Sequence, residues 1–383
     1  MAHKADVIVL GAGAIGSAAA YHAARRGFSV TLLEQYAIDH ERGSSYGVSR
    51  IIRYAYDHPA YVRLARAAFL AWDALADEAG EALLTRTGGV DIGNRSDPAL
   101  VATAAALESE GIPFELLDAQ ESRRRFPQFR LDDDMAMLYQ ADAAILPASR
   151  CVGAHVRLAE RHGAHIHTEE PVARIEAHDS GVRVTTSKAV YESAVVIVAA
   201  GSWANDLLAP LDFALPLRPV ACQENYFAPA VPETFAIGPM PVFIAHMSED
   251  YGYMPYGLPS VDGSGFKLAL HGGPDFDPHR PDRPVDTTVI DAARRFAGRH
   301  LPGAADQHLS SRMCLYTMTP DEHFIIDRHP AHPSVIVGAA CSGHAFKFST
   351  LLGSILVDLA VDGQTAHDIS LFRAGRFDNE VSL

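Results

Sequence analysis

The segment ADVIVLGAGAIGSAAAYHAARRGFSVTLLEQ, residues 5–35, constrains the fold more than any other part of the chain. An apolar run of strand type enters GAGAIG, an alanine-rich helical pattern follows, Gly27 stops it, and a second apolar run ends on Glu34. Each glycine has its own physical reason. Gly11 permits the tight turn, Gly13 lets a pyrophosphate approach the helix N-terminus, and Gly16 lets helix and strand pack closely, while Glu34 can accept from ribose hydroxyls. A glycine-rich turn alone is a weak signal, but here strand, helix and acid all stand where a dinucleotide fold needs them. The acid disfavours a 2′-phosphate and does not separate NAD from FAD.

The chain has 383 residues, 48% of them hydrophobic, enough to bury a large core and to divide into two domains. Net charge is 32 − 47 = −15 with no long basic run, which argues against nucleic acid or an anionic membrane as partner. An anionic small molecule would therefore need a local pocket of positive charge. The N-terminus enters its first strand without a signal-peptide pattern, and no apolar run approaches the roughly 20 residues that span a bilayer. The cytoplasm is the expected location. Cys151, Cys222, Cys314 and Cys341 are widely spaced with no Cys-x-x-Cys, so neither a zinc site nor a disulfide framework is suggested. Each reads as a buried small hydrophobe or a single reactive thiol.

Further along, AVVIVAAGSWANDLL (194–208) is a second buried strand running into Gly201, Ser202 and Trp203. Helical patterns lie near 60–78, 98–110 and 149–162, and the stretch from His165 to Ser187 is strand-rich. This order predicts an α/β fold in which a Rossmann-like cofactor-binding domain, from residues 1–84, 146–216 and 320–383, is interrupted by a second domain. The second domain, from 85–145 and 217–319, is expected to be mainly antiparallel sheet. Residues 271–286, rich in Pro, Asp and Gly, read as a surface connection.

Three segments carry unusual charge. In RGSSYGVSRIIRYAYDHPAYVRLARAAFLAWDAL (42–75), Arg50 and Arg53 are three apart and would share a face if the intervening residues were helical; otherwise they are two surface arginines. In YGLPSVDGSGFKLALHGG (256–273), Lys267 and His271 stand in an apolar strand-like run, where alternation could turn the lysine outward. In VIVGAACSGHAFKFSTLLGSILVDLAVDG (335–363), Lys347 is placed in the first turn of a helix, where positive charge opposes the macrodipole. RMCLYTMTPDEHFIID (312–327) adds a cysteine next to a tyrosine, then a turn and an apolar strand. From these residues alone Cys314 is a buried structural cysteine.

Together these segments resemble the monomeric sarcosine oxidase family, which includes N-methyltryptophan oxidase. The likeness runs nearly end to end, through GAGAIG, GSSYGVSRIIR, YGLP with its lysine eleven residues after the tyrosine, MCLYTMTPDEHFIID and SGHAFKFS. It implies FAD joined through a thioether from Cys314 to the 8α-methyl group, a link that prevents cofactor loss and helps raise the flavin potential. It implies further that Ser44, Arg50, Val172, Gly201, Trp203, Gly343 and Lys347 stand at the cofactor beside Gly11, Gly13, Gly16 and Glu34. Arg53 and Lys347 match the pair that holds a substrate carboxylate. Lys267 matches the lysine where oxygen reacts, Arg50 a second cation beside the flavin, and His271, Tyr256 and Tyr316 the lining of the space where the amine sits. The implied activity is oxidation of a small N-alkyl amino acid to an imine, with oxygen reduced to hydrogen peroxide and hydrolysis to formaldehyde and the amino acid, by a single-chain enzyme. A cyclic or larger amine such as proline or pipecolate is the rival substrate within the class. A nucleotide-binding protein without turnover and a nicotinamide dehydrogenase are the rivals outside it. Ser45 and Tyr46 replace a histidine pair common in the family, and 241–255, where Ile244 or Met247 could meet substrate, matches poorly.

Overall fold

The computed structural model describes residues 2–280 and 282–377. Its first strand, His3–Leu10, pairs in parallel with Val30–Leu33 on one side and Val190–Val198 on the other. His165–His167 extends the sheet beyond Val30–Leu33. The far edge of Val190–Val198 is shared. Its first half bonds antiparallel to Gly181–Thr186, and its last three residues pair in parallel with Val335–Ala339. Val172–His178 and Ile325–Arg328 complete eight strands. Side chains alternate as a strand requires. Val7 and Val9 enter the core under the helices Ala14–Arg25, Pro59–Ala79, Ala148–Arg161 and Ser349–Val361, while Ile8 and Leu10 join Ile175, Val184 and Val198 on the opposite face. The alanines of Ala14–Arg25 have little side chain to bury and so admit close neighbours on several sides; ten of that helix's twelve residues are buried.

The second sheet also has eight strands, in the order Gln307–Met318, Arg218–Ala228, Phe266–His271, Met254–Leu258, Val242–Ala245, Gly89–Asn94, Met135–Gln140 and Glu115–Asp118. It is antiparallel except where Val242–Ala245 runs beside Gly89–Asn94. One face is closed by the helix Thr287–His300, with Phe243, Phe266, Leu268 and Phe296 in its core. The opposite face carries Lys267, which reaches the carbonyl of Ser49. A three-stranded sheet, Arg50–Ile52, Ala144–Leu146 and Thr85–Arg86, links the layers.

Three local expectations are corrected. Residues between Arg50 and Arg53 form a strand, not a helix, because β-branched Ile51 and Ile52 pair with Ile145 and Ala144. Lys347 lies in a 3₁₀ turn, Phe346–Phe348, just before the helix Ser349–Val361. Its carbonyl accepts from the Trp72 indole at 2.7 Å, which ties that turn to Pro59–Ala79. The outward reading of Lys267 also fails, since the residue is 2% exposed.

Candidate active site

A long cavity runs along the C-terminal ends of the parallel strands, where open α/β sheets bind ligands. Leu10, Gly11, Gly13, Leu33, Glu34, Gly201 and Trp203 line one end, and Arg50, Tyr316, Gly343 and Phe346 the other. A dinucleotide fits the first end on direct geometric grounds. Gly11 has φ +96°, and a Cβ there would sit 2.6 Å from the Ala199 carbonyl oxygen. A Cβ on Gly16 would lie 1.8 Å from the carbonyl oxygen of Gly11. Neither position admits a side chain, so helix and strands meet closely enough to cradle a phosphate against bare backbone. Glu34 is buried, its oxygens accepting from the backbone amides of Ala12 at 2.7 Å and Tyr36 at 2.9 Å. A carboxylate has lone pairs to spare beyond those two bonds, which leaves capacity for ribose hydroxyls.

Ser45, one of the two departures from the family pattern, proves to be part of this cradle. Its hydroxyl accepts from the Ala14 amide at 2.9 Å and stands over Gly13, doing for the helix N-terminus what its own sequence lacks. Tyr46 donates its hydroxyl to the carbonyl of Met313, clamping the 42–49 loop onto the strand that carries Cys314. The Cys314 sulfur is buried, 3.6 Å from the Ser44 carbonyl and 3.6 Å from an Arg50 nitrogen. Burial pushes its thiol up to about 12, against the opposing pull of Arg50. Leu315 and Tyr316, its neighbours, line the cavity directly, as do Ser44, Val172 and Gly343.

At the other end the side chains fall into two groups. Arg50 and Lys267 converge on Glu224, whose Oε1 is 3.2 Å from Arg50 Nη1 and 2.6 Å from Lys267 Nζ. Burial opposes both charges, yet the two cations outweigh it and hold Glu224 below the usual carboxylate range; burial also lowers Lys267, and Glu224 partly restores it. Arg53 and Lys347 form the second group, lying against the ring of Tyr56 at 4.9 Å and 5.3 Å. Arg53 touches Asp91 at 3.3 Å, and Asp91 is also met by His246 at 3.0 Å. Lys347 donates to the Tyr56 hydroxyl at 2.8 Å and to the His344 carbonyl at 2.9 Å. Burial, reinforced by Arg53, pulls its ammonium well below the usual lysine value.

Between the groups sit Tyr256, His271 and Tyr316. The two phenol oxygens are 3.4 Å apart and the His271 ring centre is 5.0 Å from that of Tyr316. Burial, then the Lys347 and Arg53 cations, lower His271 to about 4, so it is neutral at pH 7. Gly343 makes this contact possible: at φ +75° it admits no side chain, and a Cβ would lie 2.4 Å from the Tyr316 ring and 2.6 Å from His271. Sequence reasoning missed Glu224, Asp91, His246 and Tyr56. The available signal was an acid set among strand residues, in CQENYF and GVDIGN.

A glycine cradle on a parallel sheet, meeting a buried group of cations, phenols and a neutral imidazole through Arg50 and Tyr316, is the arrangement of a dinucleotide-dependent oxidoreductase. The FAD dependent oxidoreductase family matches residues 6–359. The chain is 38% identical to monomeric sarcosine oxidase of Streptomyces avermitilis, over 96% of each chain. It is 31% identical to N-methyl-L-tryptophan oxidase of Salmonella heidelberg, over 98% of this chain and 99% of that one. Among solved structures, NikD, an amino acid oxidase essential for nikkomycin biosynthesis, superposes with a TM-score of 0.87 at 26% identity, covering 97% and 98% of the two chains. The chain belongs to the monomeric sarcosine oxidase and N-methyltryptophan oxidase family of FAD-dependent amine oxidoreductases. Among the described residues no helix is long and apolar enough to cross a membrane.

Proposed function

We propose that this protein oxidises a secondary amine bearing a carboxylate, an N-methyl amino acid such as sarcosine or N-methyltryptophan, with FAD attached covalently through the Cys314 sulfur. When bound, FAD would supply the two-electron redox chemistry that links the carbon beside the nitrogen to oxygen. Overall, amine, oxygen and water give the demethylated amino acid, formaldehyde and hydrogen peroxide. The observation that carries the reading is Tyr316, which lines the cofactor cavity and also packs on His271 and Tyr256, joining the cradle to the cation pocket.

In this reading Arg53 and Lys347 receive the carboxylate, the first as a planar fork and the second as a point charge. Their position holds the amine over the aromatic floor formed by Tyr256, Tyr316 and neutral His271. The same two cations disfavour a protonated amine by like-charge repulsion, which presents the nitrogen with its lone pair free. Lys267 supplies fixed positive charge where oxygen acquires electrons, and Arg50 supplies a second cation on the cofactor side. Glu34, Ser44, Val172, Gly201 and Trp203 hold the rest of FAD. The segments 1–84, 146–216 and 320–383 act as the FAD-binding domain, and 85–145 with 217–319 as the substrate domain. Action as a single chain in the cytoplasm belongs to the same proposal.

The test is a peroxide-coupled screen of N-methyl amino acids beside proline and pipecolate. N-methyl substrates are expected to release peroxide together with formaldehyde; turnover of the cyclic amines alone would replace this reading. For the covalent link, acid-precipitated wild-type protein should stay yellow while Cys314→Ser protein leaves its colour in the supernatant. Colour retained in the Cys314→Ser precipitate would place the attachment elsewhere.

A further inference from the structure

Glu224 has no part in the scheme above, yet it is 4% exposed and lies at the centre of a buried charge cluster. Three separate elements bring the cluster together: Glu224 on Arg218–Ala228, Lys267 on Phe266–His271 and Arg50 at the start of Arg50–Ile52. One carboxylate oxygen serves both cations, while the other accepts from the Tyr226 hydroxyl at 3.1 Å. Lys267 has one further acceptor, the Ser49 carbonyl at 3.3 Å. The remaining neighbours supply no second acid. Met254–Leu258 presents the Tyr256 ring 5.7 Å from Lys267 Nζ, Gln307–Met318 presents Cys314 to Arg50 and Arg312 to Tyr226, Cys222 lies on the same strand as Glu224, and Tyr46 faces from the 42–49 loop. Among the described residues, Glu224 is the carboxylate within ion-pair distance of either cation.

We propose that Glu224 is a positioning residue for the oxygen half-reaction: by sharing one oxygen between Lys267 and Arg50 it keeps the Lys267 ammonium both charged and fixed in place. The proposal rests on the reading of Lys267 as the oxygen-side cation. With Glu224 the cluster carries two positive charges and one negative. Without it two buried cations would face each other, and only one of them can give way, because a guanidinium does not release its proton whereas an ammonium does. Lys267 would become neutral, and an uncharged amine offers no field to an oxygen molecule gaining an electron.

The experiment uses the FAD-loaded enzyme and the isosteric E224Q. Anaerobic bleaching of the flavin by an amine should stay within about threefold of wild type, since that step draws on Arg53 and Lys347. Reoxidation by oxygen should approach wild type at low pH and fall by up to about tenfold per unit as Lys267 deprotonates, while wild type stays flat over the same range. A readout independent of turnover follows from the same protonation. A folded state with neutral Lys267 binds fewer protons than the unfolded chain, so E224Q gains stability as pH rises, and its melting-temperature deficit against wild type should shrink between pH 6 and pH 9. E224D, which retains the charge, should restore a flat reoxidation profile. A slowdown and a melting deficit that both ignore pH would overturn the proposal, leaving Glu224 a packing residue. If K267M slows reoxidation while E224Q follows wild type at every pH, the Glu224 assignment fails and the role of Lys267 stands. If K267M has no effect on reoxidation, the reading beneath it fails. Should E224Q not fold, E224Q/K267M removes the clash and is expected to recover folding; failure of that double variant also counts against charge sharing.

Discussion

Arg50 and Arg53 stand three residues apart on one short stretch, and they meet opposite fates. Arg50 shares Glu224 with Lys267 at 3.2 Å and 2.6 Å, a cluster in which every charge has a counter-charge at hand. Among the described residues, Arg53 touches Asp91 through a single nitrogen at 3.3 Å, its Nε is buried without a hydrogen-bond partner, and neighbouring Lys347 hydrogen-bonds a phenol and a carbonyl. Buried polar groups are normally satisfied. The first cluster is closed, suited to holding a fixed charge; the second keeps donors in reserve, suited to receiving an anion.

The largest effect should come from Arg53→Met, which leaves buried Asp91 with His246 alone and removes the fork. We expect kcat/KM for carboxylate substrates to fall on the order of a thousandfold, about 4 kcal/mol, with uncharged ester analogues losing far less in the same steady-state assay. Equal losses for both would erase the distinction between the clusters. Next, Lys267→Met should slow reoxidation on the order of a hundredfold, about 3 kcal/mol, while stopped-flow reduction by the amine changes less than threefold. A comparable slowing of both half-reactions would mean that the two clusters do not divide the labour.

Lys347 also separates the two clusters by its response to pH. Burial and then Arg53 depress Lys347, so above its lowered value the free enzyme holds it neutral, and a bound carboxylate draws a proton back onto it. Binding of a carboxylate inhibitor should therefore weaken with rising pH, up to about tenfold per unit, until the value of the complex is passed. Calorimetry in buffers of different ionisation enthalpy should register the proton uptake. The smallest effect belongs to Asp91→Asn. Freeing Arg53 from its acid should tighten the same inhibitor by about fivefold, about 1 kcal/mol, with kcat changed by less than twofold; weaker binding would show that Asp91 serves chiefly to aim the guanidinium.

The cofactor end was readable because its chemistry is local. Gly11, Gly13, Gly16 and Glu34 announce strand, turn and helix within thirty-odd residues; the structure places Gly11, Gly13 and Glu34 at the cavity and Gly16 behind it, packed on Gly11. The substrate end depends on partners far away in sequence. Arg50–Ile52 is a strand only because Ala144–Leu146 pairs with it, and the helical spacing of its arginines therefore misleads. Glu224 and Asp91 each sit among buried neighbours, and their function appears only when the fold brings their side chains within ion-pair distance of Lys267 and Arg53. Lys347 precedes its helix because the Trp72 indole engages its carbonyl, a contact across 275 positions that no local pattern encodes.

The divided outer edge of Val190–Val198 bears on how the protein is made. The layer begun by the first ten residues is finished by Val335–Ala339, whose Gly338 and Ala339 also wall the cavity. On the ribosome, the edge formed by Val196, Ile197 and Val198 waits unpaired while more than a hundred further residues are made, a long window for aggregation. Because that strand walls the cavity, a product released prematurely, upstream of residue 335, is expected to be colourless however well its opening βαβ unit had formed.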